Sequence, residues 1–203
     1  MDDLERKVEK IGDRIVEKVA KAVCTFGQCP IWRFLGDGSD RSIQWIDHPA
    51  NPRFAVHTPP GGQPTPTGLQ DLVLDKETGL VWARNANLPG SQNWLNANTL
   101  CRGLALSNRL GWRLPTVEVL SSLVDPLQTP LALPPGHPFL NVRYGSGIPA
   151  YWTASNAENP AGAAWFVNPW GGASPSFAGL GNKSIQGYAW PIRGETAGVN
   201  WNW

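Results

Sequence analysis

Leu110-Gly111-Trp112-Arg113-Leu114-Pro115-Thr116 is the stretch whose reading decides the fold. An amphipathic run stands on each side of it. Upstream, Ser91 or Asn93 can cap a helix that buries Trp94, Ala97, Leu100, Cys101 and Leu104 on one face. Downstream, Thr116 follows Pro115 and caps a second helix, whose buried stripe is Val117, Leu120, Leu123 and Val124. Pro126 ends that helix, because a proline disfavours helical geometry in the residue before it. Trp112 and Arg113 read as a lock on the turn between the two helices.

Strand patterns lie further out on both sides. Leu72-Val73-Leu74-Asp75 and Leu80-Val81-Trp82-Ala83-Arg84 form a hairpin around a turn that ends at Gly79, where a positive φ is cheap. Asp71, Asp75 and Glu77 flank this turn and read as solvated carboxylates. Prolines make residues 126–150 a loop. Short strands follow at 151–154, 163–167, 174–178 and 188–193, with Gly171-Gly172 as a turn signal. Trp152, Trp165 and Trp190 lie in apolar strand runs and read as core. Trp170, between Asn168-Pro169 and Gly171-Gly172, reads as exposed at a turn.

The rest of the 203-residue chain is less regular. Leu4, Val8, Ile11, Ile15, Val19 and Val23 recur on one face of an amphipathic helix over residues 2–23. Leu4 to Ile15 keeps a heptad register for two turns, so self-association through Leu4, Val8, Ile11, Ile15 and Val19 is one reading. Docking on the chain's own domain and lying on a membrane surface are the others. Residues 25–68 form an irregular Pro/Gly-rich connector, with short strands conceivable around 31–34 and 43–46. The expected organisation is a helix at 1–24, the connector at 25–68, the main domain at 69–195 and a tail at 196–203.

Composition limits the function. Gly 22 and Pro 19 make up about a fifth of the chain, while hydrophobic content is 41% with 11 Trp, which points to a loop-rich α+β or all-β domain. A net charge of +1 excludes a broad field for nucleic acid or anionic membranes. No apolar run approaches the roughly 20 residues a membrane helix needs, and the charged N-terminus lacks a signal-peptide core. Cys24 and Cys29 can close a small disulfide loop; His48, His57 and His137 are scattered, so no metal or other cofactor is expected. Ser155 and Ser184 have no histidine beside them in sequence, and no phosphate-binding loop appears, so no enzyme is expected.

A run of motifs in order resembles the C-terminal domain of Lcl-type bacterial adhesins. The matching pieces include Asn51-Pro52-Arg53-Phe54, Thr78-Gly79-Leu80-Val81-Trp82, Trp112-Arg113-Leu114-Pro115-Thr116, Leu133-Pro134-Pro135-Gly136-His137-Pro138-Phe139, Tyr151-Trp152-Thr153-Ala154-Ser155, Ala164-Trp165-Phe166-Val167 and Trp190-Pro191-Ile192-Arg193-Gly194. They cover about residues 50–195. The resemblance implies an α+β, C-type-lectin-like fold with two helices on short antiparallel strands, and an extracellular or cell-surface setting. Adhesins of the family are similar to glycan-binding trimers. This chain lacks their collagen-like stalk, and Cys101 lacks the cysteine partner that many relatives carry near the last strand.

In such folds the long loop and late strands form the ligand face, which is roughly 141–188 here. Its candidate contacts are Asn141, Arg143, Tyr144, Asn156, Asn168, Trp170, Asn182, Lys183 and Tyr188, since amides pair with hydroxyls or peptide groups and aromatic faces anchor interfaces. Glu158 is the only carboxylate in that stretch, which argues against calcium-mediated binding. The expected function is a non-catalytic recognition or assembly module for a protein partner or for itself, as a homo-oligomer such as a trimer. Binding of glycans, sulfated ones included, is the alternative, as is a variable ligand-binding protein of the kind diversified by retroelements.

Overall fold

A computed structural model describes residues 45–57, 71–88, 90–146, 150–171 and 177–194. The expected helix over 2–23, Cys24 and Cys29, the strand at 31–34 and the tail at 196–203 lie outside these residues. The chain divides into two units, Met1–Asp47 and His48–Trp203. Of the first, residues 45–47 are described, including the short strand β1, Ile46–Asp47.

The second unit is α+β. Its elements run β2 Phe54–His57, β3 Leu72–Asp75, β4 Val81–Ala83, β5 Ser91–Gln92, α1 Trp94–Gly103, α2 Val117–Ser121, β6 Tyr151–Asn156, β7 Ala163–Val167, β8 Ala178–Asn182, β9 Gly187–Tyr188 and β10 Ile192–Arg193. One sheet takes β2, β3, β4 and β10 side by side, all antiparallel. The other has the order β5-β9-β6-β7-β8, with β6 and β9 parallel and the remaining neighbours antiparallel.

Two cores form on opposite sides of the extended segments at 151–152, in strand β6, and 189–190, between β9 and β10, where successive side chains point to opposite faces. Tyr151 and Trp190 join Phe54, Trp82, Leu120, Phe139 and Val167 in the larger core, which draws on both sheets and α2. Their sequence neighbours Trp152 and Ala189 point the other way and meet Ala97 and Cys101 of α1, with Leu114 and Ala164. Two dipeptides, Tyr151-Trp152 and Ala189-Trp190, thus stitch the layers together.

The hairpin at 72–83 forms as expected, but its carboxylates are not solvated. Asp71 and Asp75 are fully buried. Asp75 accepts from Arg53 Nε (3.0 Å) and Nη2 (2.8 Å), from the Glu77 N–H (3.1 Å) and from the Thr78 hydroxyl (3.0 Å). Burial alone would lower the Arg53 pKa, but the hydrogen bonds and charge of Asp75, with Glu77, outweigh it and raise the pKa. Asp71 binds Arg84 Nη1 at 2.9 Å. Each carboxylate is buried because a guanidinium brought in from elsewhere in the chain compensates its desolvation. Glu77 alone of the three remains exposed. Strand β2, which supplies the Arg53 side of this pairing, emerges from the stretch read as irregular connector. It pairs in register with β3 from Phe54↔Asp75 to His57↔Leu72.

Helix α1 is capped by the Asn93 side chain, which accepts from the Asn96 N–H. Ala97 and Cys101 are buried, Trp94 is partly so, and Leu100 is 42% exposed, contrary to expectation. At about 100° per residue, Leu100 lies roughly 90° from the centre of the face set by Trp94, Ala97 and Cys101. Leu104 stands outside the helix as its C-cap. Cys101 is a buried free thiol, and burial pushes its pKa up to about 12. Helix α2 is capped by Thr116, whose hydroxyl accepts from the Val119 N–H. It ends at Ser122, well before Pro126, because the Ser122 hydroxyl turns back to the Val119 carbonyl at 2.7 Å and tight turns take over.

The Trp112-Arg113-Leu114-Pro115-Thr116 stretch does more than lock two helices. Arg113 exchanges both backbone hydrogen bonds with Ile192 of β10, at 2.9 Å each. The Pro115 carbonyl accepts from the Ala154 N–H of β6 at 2.7 Å. Trp112 is buried, with its indole N–H on the Arg109 carbonyl, and Leu114 fills the α1 core. Five residues therefore bind one sheet to the other.

The late strands differ from expectation in three places. Residues 172–176 lie outside the described residues, and β8 begins at Ala178, where the expected strand would end. Gly179 and Gly181 hid it from a propensity reading. They are needed because the Phe166 ring crosses the strand, so that a Cβ on Gly179 would meet Phe166 at 2.8 Å. The 188–193 run splits into β9 and β10, one in each sheet. Trp165 is half-buried and belongs to neither core. It pairs across strands with Leu180, itself 41% exposed, on β8, the edge of the sheet among the described residues.

The loops at 48–53 and 134–139 are clasped together. Asn51 Nδ2 donates to the Pro135 carbonyl at 2.9 Å, and Gly136 (φ +70°) lies so near Ala50 that a Cβ would meet its carbonyl oxygen at 2.4 Å. His48 bonds the Gly136 backbone, and His137 stacks on Phe139 at 5.9 Å. Both Nδ1 atoms are buried without a partner among the described residues. Burial, then Arg84, lowers the His48 pKa; burial, then His48, lowers that of His137. Both are therefore neutral in the fold, and the unfolded chain binds more protons below its ordinary histidine pKa near 6.5. Their contribution is complete above that pH and is lost as pH falls through the lowered folded values. The urea midpoint should drop between about pH 7 and 5, and His48→Gln/His137→Phe should flatten the drop. An unchanged slope in the double variant would assign the effect to other groups.

Candidate ligand-binding surface

The nine expected contact residues fall into two groups at opposite ends of β7, which separates them by on the order of 13 Å. The first group gathers where β7 and β9 run into loops. Tyr151 stands beside both Val167 and Tyr188 in the sheet. Its buried hydroxyl accepts from the Arg143 backbone N–H at 2.7 Å. Arg143 is exposed, and its guanidinium carbon lies 5.4 Å from the centroid of the half-buried Tyr188 ring. Asn168, one residue past β7, donates from Nδ2 to the Gly145 carbonyl at 3.1 Å. Its Oδ1 is buried and accepts nothing among the described residues. Tyr144 lies half-buried between Arg143 and Gly145. Asn141 precedes them, exposed at φ 54°, a left-handed conformation that asparagine tolerates.

Trp170 adjoins this group but is half-buried, not exposed as expected. It forms a bridge with Leu131, and the Gly171 N–H donates to the Pro130 carbonyl at 3.0 Å. A Cβ on Gly171 would run into the Gln128 carbonyl, so the segment before Trp170's bridge partner presses directly against the turn. Proline-rich sequence around 126–135 gave no local pattern announcing that contact.

The second group sits at the start of β7. Asn156 pairs opposite Ala164, and Asn182 opposite Ala163; both are exposed. Asn182 Oδ1 accepts from the Ser184 N–H at 2.9 Å, closing its own turn. Lys183 holds its ammonium 4.3 Å from the Trp94 ring centroid, while its carbonyl accepts from the Trp94 N–H. The cation is thus occupied in securing the start of α1 to the strand turn.

A family model described as the Lcl C-terminal domain matches residues 71–193. The chain belongs to the Lcl C-terminal domain family. No curated protein and no solved structure matches the chain. Both groups of residues lie inside the stretch matched by the Lcl C-terminal domain. No helix among the described residues is long and apolar enough to cross a membrane.

Two participants lie outside the nine expected contacts. Tyr151 keeps its ring in the core, while the hydroxyl at its far end anchors the Arg143 backbone. Gly145 gives no signal at all, because its contribution is a backbone carbonyl. The burial of Tyr151 pushes its own pKa up, so the hydroxyl stays protonated while it accepts from the Arg143 N–H.

Proposed function

We propose that this Lcl C-terminal domain is a non-catalytic recognition module of C-type-lectin-like fold. Its loop surface at Arg143, Tyr144, Asn168, Trp170 and Tyr188 holds a protein partner or a second copy of the chain. The carrying observation is the exposed Arg143 side chain held over the Tyr188 ring, 5.4 Å from its centroid. Arginine, tyrosine and tryptophan are the residues on which protein interfaces most often concentrate their affinity. Here short, well-buried strands hold them or their loops in place, so little conformational freedom is lost on binding. The two packed helices and the late strands that display the loops support the lectin-like comparison. The division into a helix at 1–24, a connector at 25–68, this domain at 69–195 and a tail at 196–203 belongs to the same proposal.

The test is photo-crosslinking in the producing cell, with a benzophenone amino acid in place of Tyr144 and, as control, of Leu110, which is 68% exposed in the connection between the two helices. A discrete protein adduct at position 144, absent at 110 and lost on adding Tyr188→Ala, is expected. Absence of any adduct, together with retention on a glycan array that Tyr188→Ala abolishes, would replace the protein reading with the glycan one.

A further inference from the structure

We infer that Arg143 is a receptor for a single carboxylate, carried by an acidic side chain of the bound protein. The inference rests on the protein-recognition reading above and specifies the chemistry of that site. Arg143 makes two contacts among the described residues: its backbone N–H to the Tyr151 hydroxyl and its guanidinium to the face of the Tyr188 ring. The guanidinium donates no hydrogen bond and joins no ion pair among those residues. Four other arginines of the domain are occupied: Arg53 by Asp75, Arg84 by Asp71, Arg113 by the Gly194 carbonyl and Arg193 by the Leu110 carbonyl. Arg143 is therefore a fork of donors held in orientation by a ring, with its hydrogen-bonding capacity unused.

The charge count selects the ligand. Lys183, the other cation of the 141–188 surface, lies at the far end of β7 with its ammonium on Trp94. One guanidinium balances one negative charge, and a carboxylate matches its two parallel N–H groups. A densely sulfated or phosphorylated chain would call for clustered cations, which the separation of Arg143 from Lys183 denies it. Half-buried Tyr144 and Tyr188 provide a surround of lowered dielectric in which the charged hydrogen bonds gain strength.

The experiment is an NMR titration of the full chain labelled with nitrogen-15. The Arg143 Nε–Hε signal, assigned by its loss in Arg143→Lys, is followed against N-acetyl-glutamate N-methylamide, the corresponding glutamine compound, and inorganic sulfate. The glutamate probe should shift that signal saturably and bind about tenfold more tightly than the glutamine probe, the gap between charged and neutral hydrogen bonds. Its effect on neighbouring backbone signals should vanish in Arg143→Lys, whose ammonium lacks the fork. No saturable shift, equal binding of the glutamine probe, or sulfate binding as tightly as glutamate would each overturn the inference. Failure here with a persisting Tyr144 adduct would leave protein recognition standing and remove the carboxylate. Glutamate binding without any adduct would keep the anion site and remove its protein source.

Discussion

Trp190→Ala should leave the domain only marginally folded at 25 °C. The Trp190 ring is fully buried and stands edge-on to Trp82 (5.6 Å) and Phe139 (4.8 Å) and tilted against Tyr151 (5.2 Å). Its indole N–H donates to the Ala83 carbonyl at 3.0 Å, so one side chain joins the two sheets by packing and by hydrogen bonding. Truncation of a buried tryptophan costs about 3–5 kcal/mol, a large part of the ~5–15 kcal/mol that typically holds a domain together. Trp165→Ala is the natural comparison. That ring is half-buried and outside both cores, and its removal should cost on the order of 1 kcal/mol. Urea unfolding followed by far-ultraviolet circular dichroism separates the two. Equal losses would show that the ring cluster does not hold the layers together.

The contrast between these tryptophans shows what a sequence pattern can and cannot convey. Each lies in an apolar strand run, and alternation assigns each a face. Alternation does not say where a sheet ends, and Trp165 is half-exposed because its neighbouring strand β8 is the sheet edge among the described residues. The helices were readable because Asn93 and Thr116 are capping residues placed before apolar periodicity, and capping is a local event. The buried carboxylates were not. Asp75 depends on Arg53 twenty-two residues earlier, and Asp71 on Arg84 across the hairpin, and neither partner is announced by spacing. The binding surface was readable as a list of suitable residues but not as a geometry. A single strand, β7, splits that list in two, and only strand register reveals which asparagine lies near which aromatic ring.

Asp75→Ala should cost about 3–5 kcal/mol, the penalty for removing one partner of a buried ion pair. The carboxylate satisfies four donors on two segments: Arg53 twice, the Glu77 N–H and the Thr78 hydroxyl. Its removal takes the turn's side-chain support and leaves a guanidinium, largely withdrawn from water, with Glu77 and the Ser122 carbonyl at 3.2 Å as its remaining acceptors. Glu77 is exposed on this flank and offsets little, because solvent screens such pairs to roughly 0–1 kcal/mol. Asp75→Asn should be nearly as damaging, since its amide nitrogen would present hydrogens to the Arg53 donors. Arg53→Met/Asp75→Leu should recover much of the loss in the urea midpoint, because an apolar pair incurs no desolvation penalty for charge. A loss below about 1 kcal/mol for Asp75→Ala would place the pair among ordinary surface contacts. If the double variant were as unstable as Asp75→Ala, the four hydrogen bonds, rather than the stranded charge, would be what the turn cannot do without.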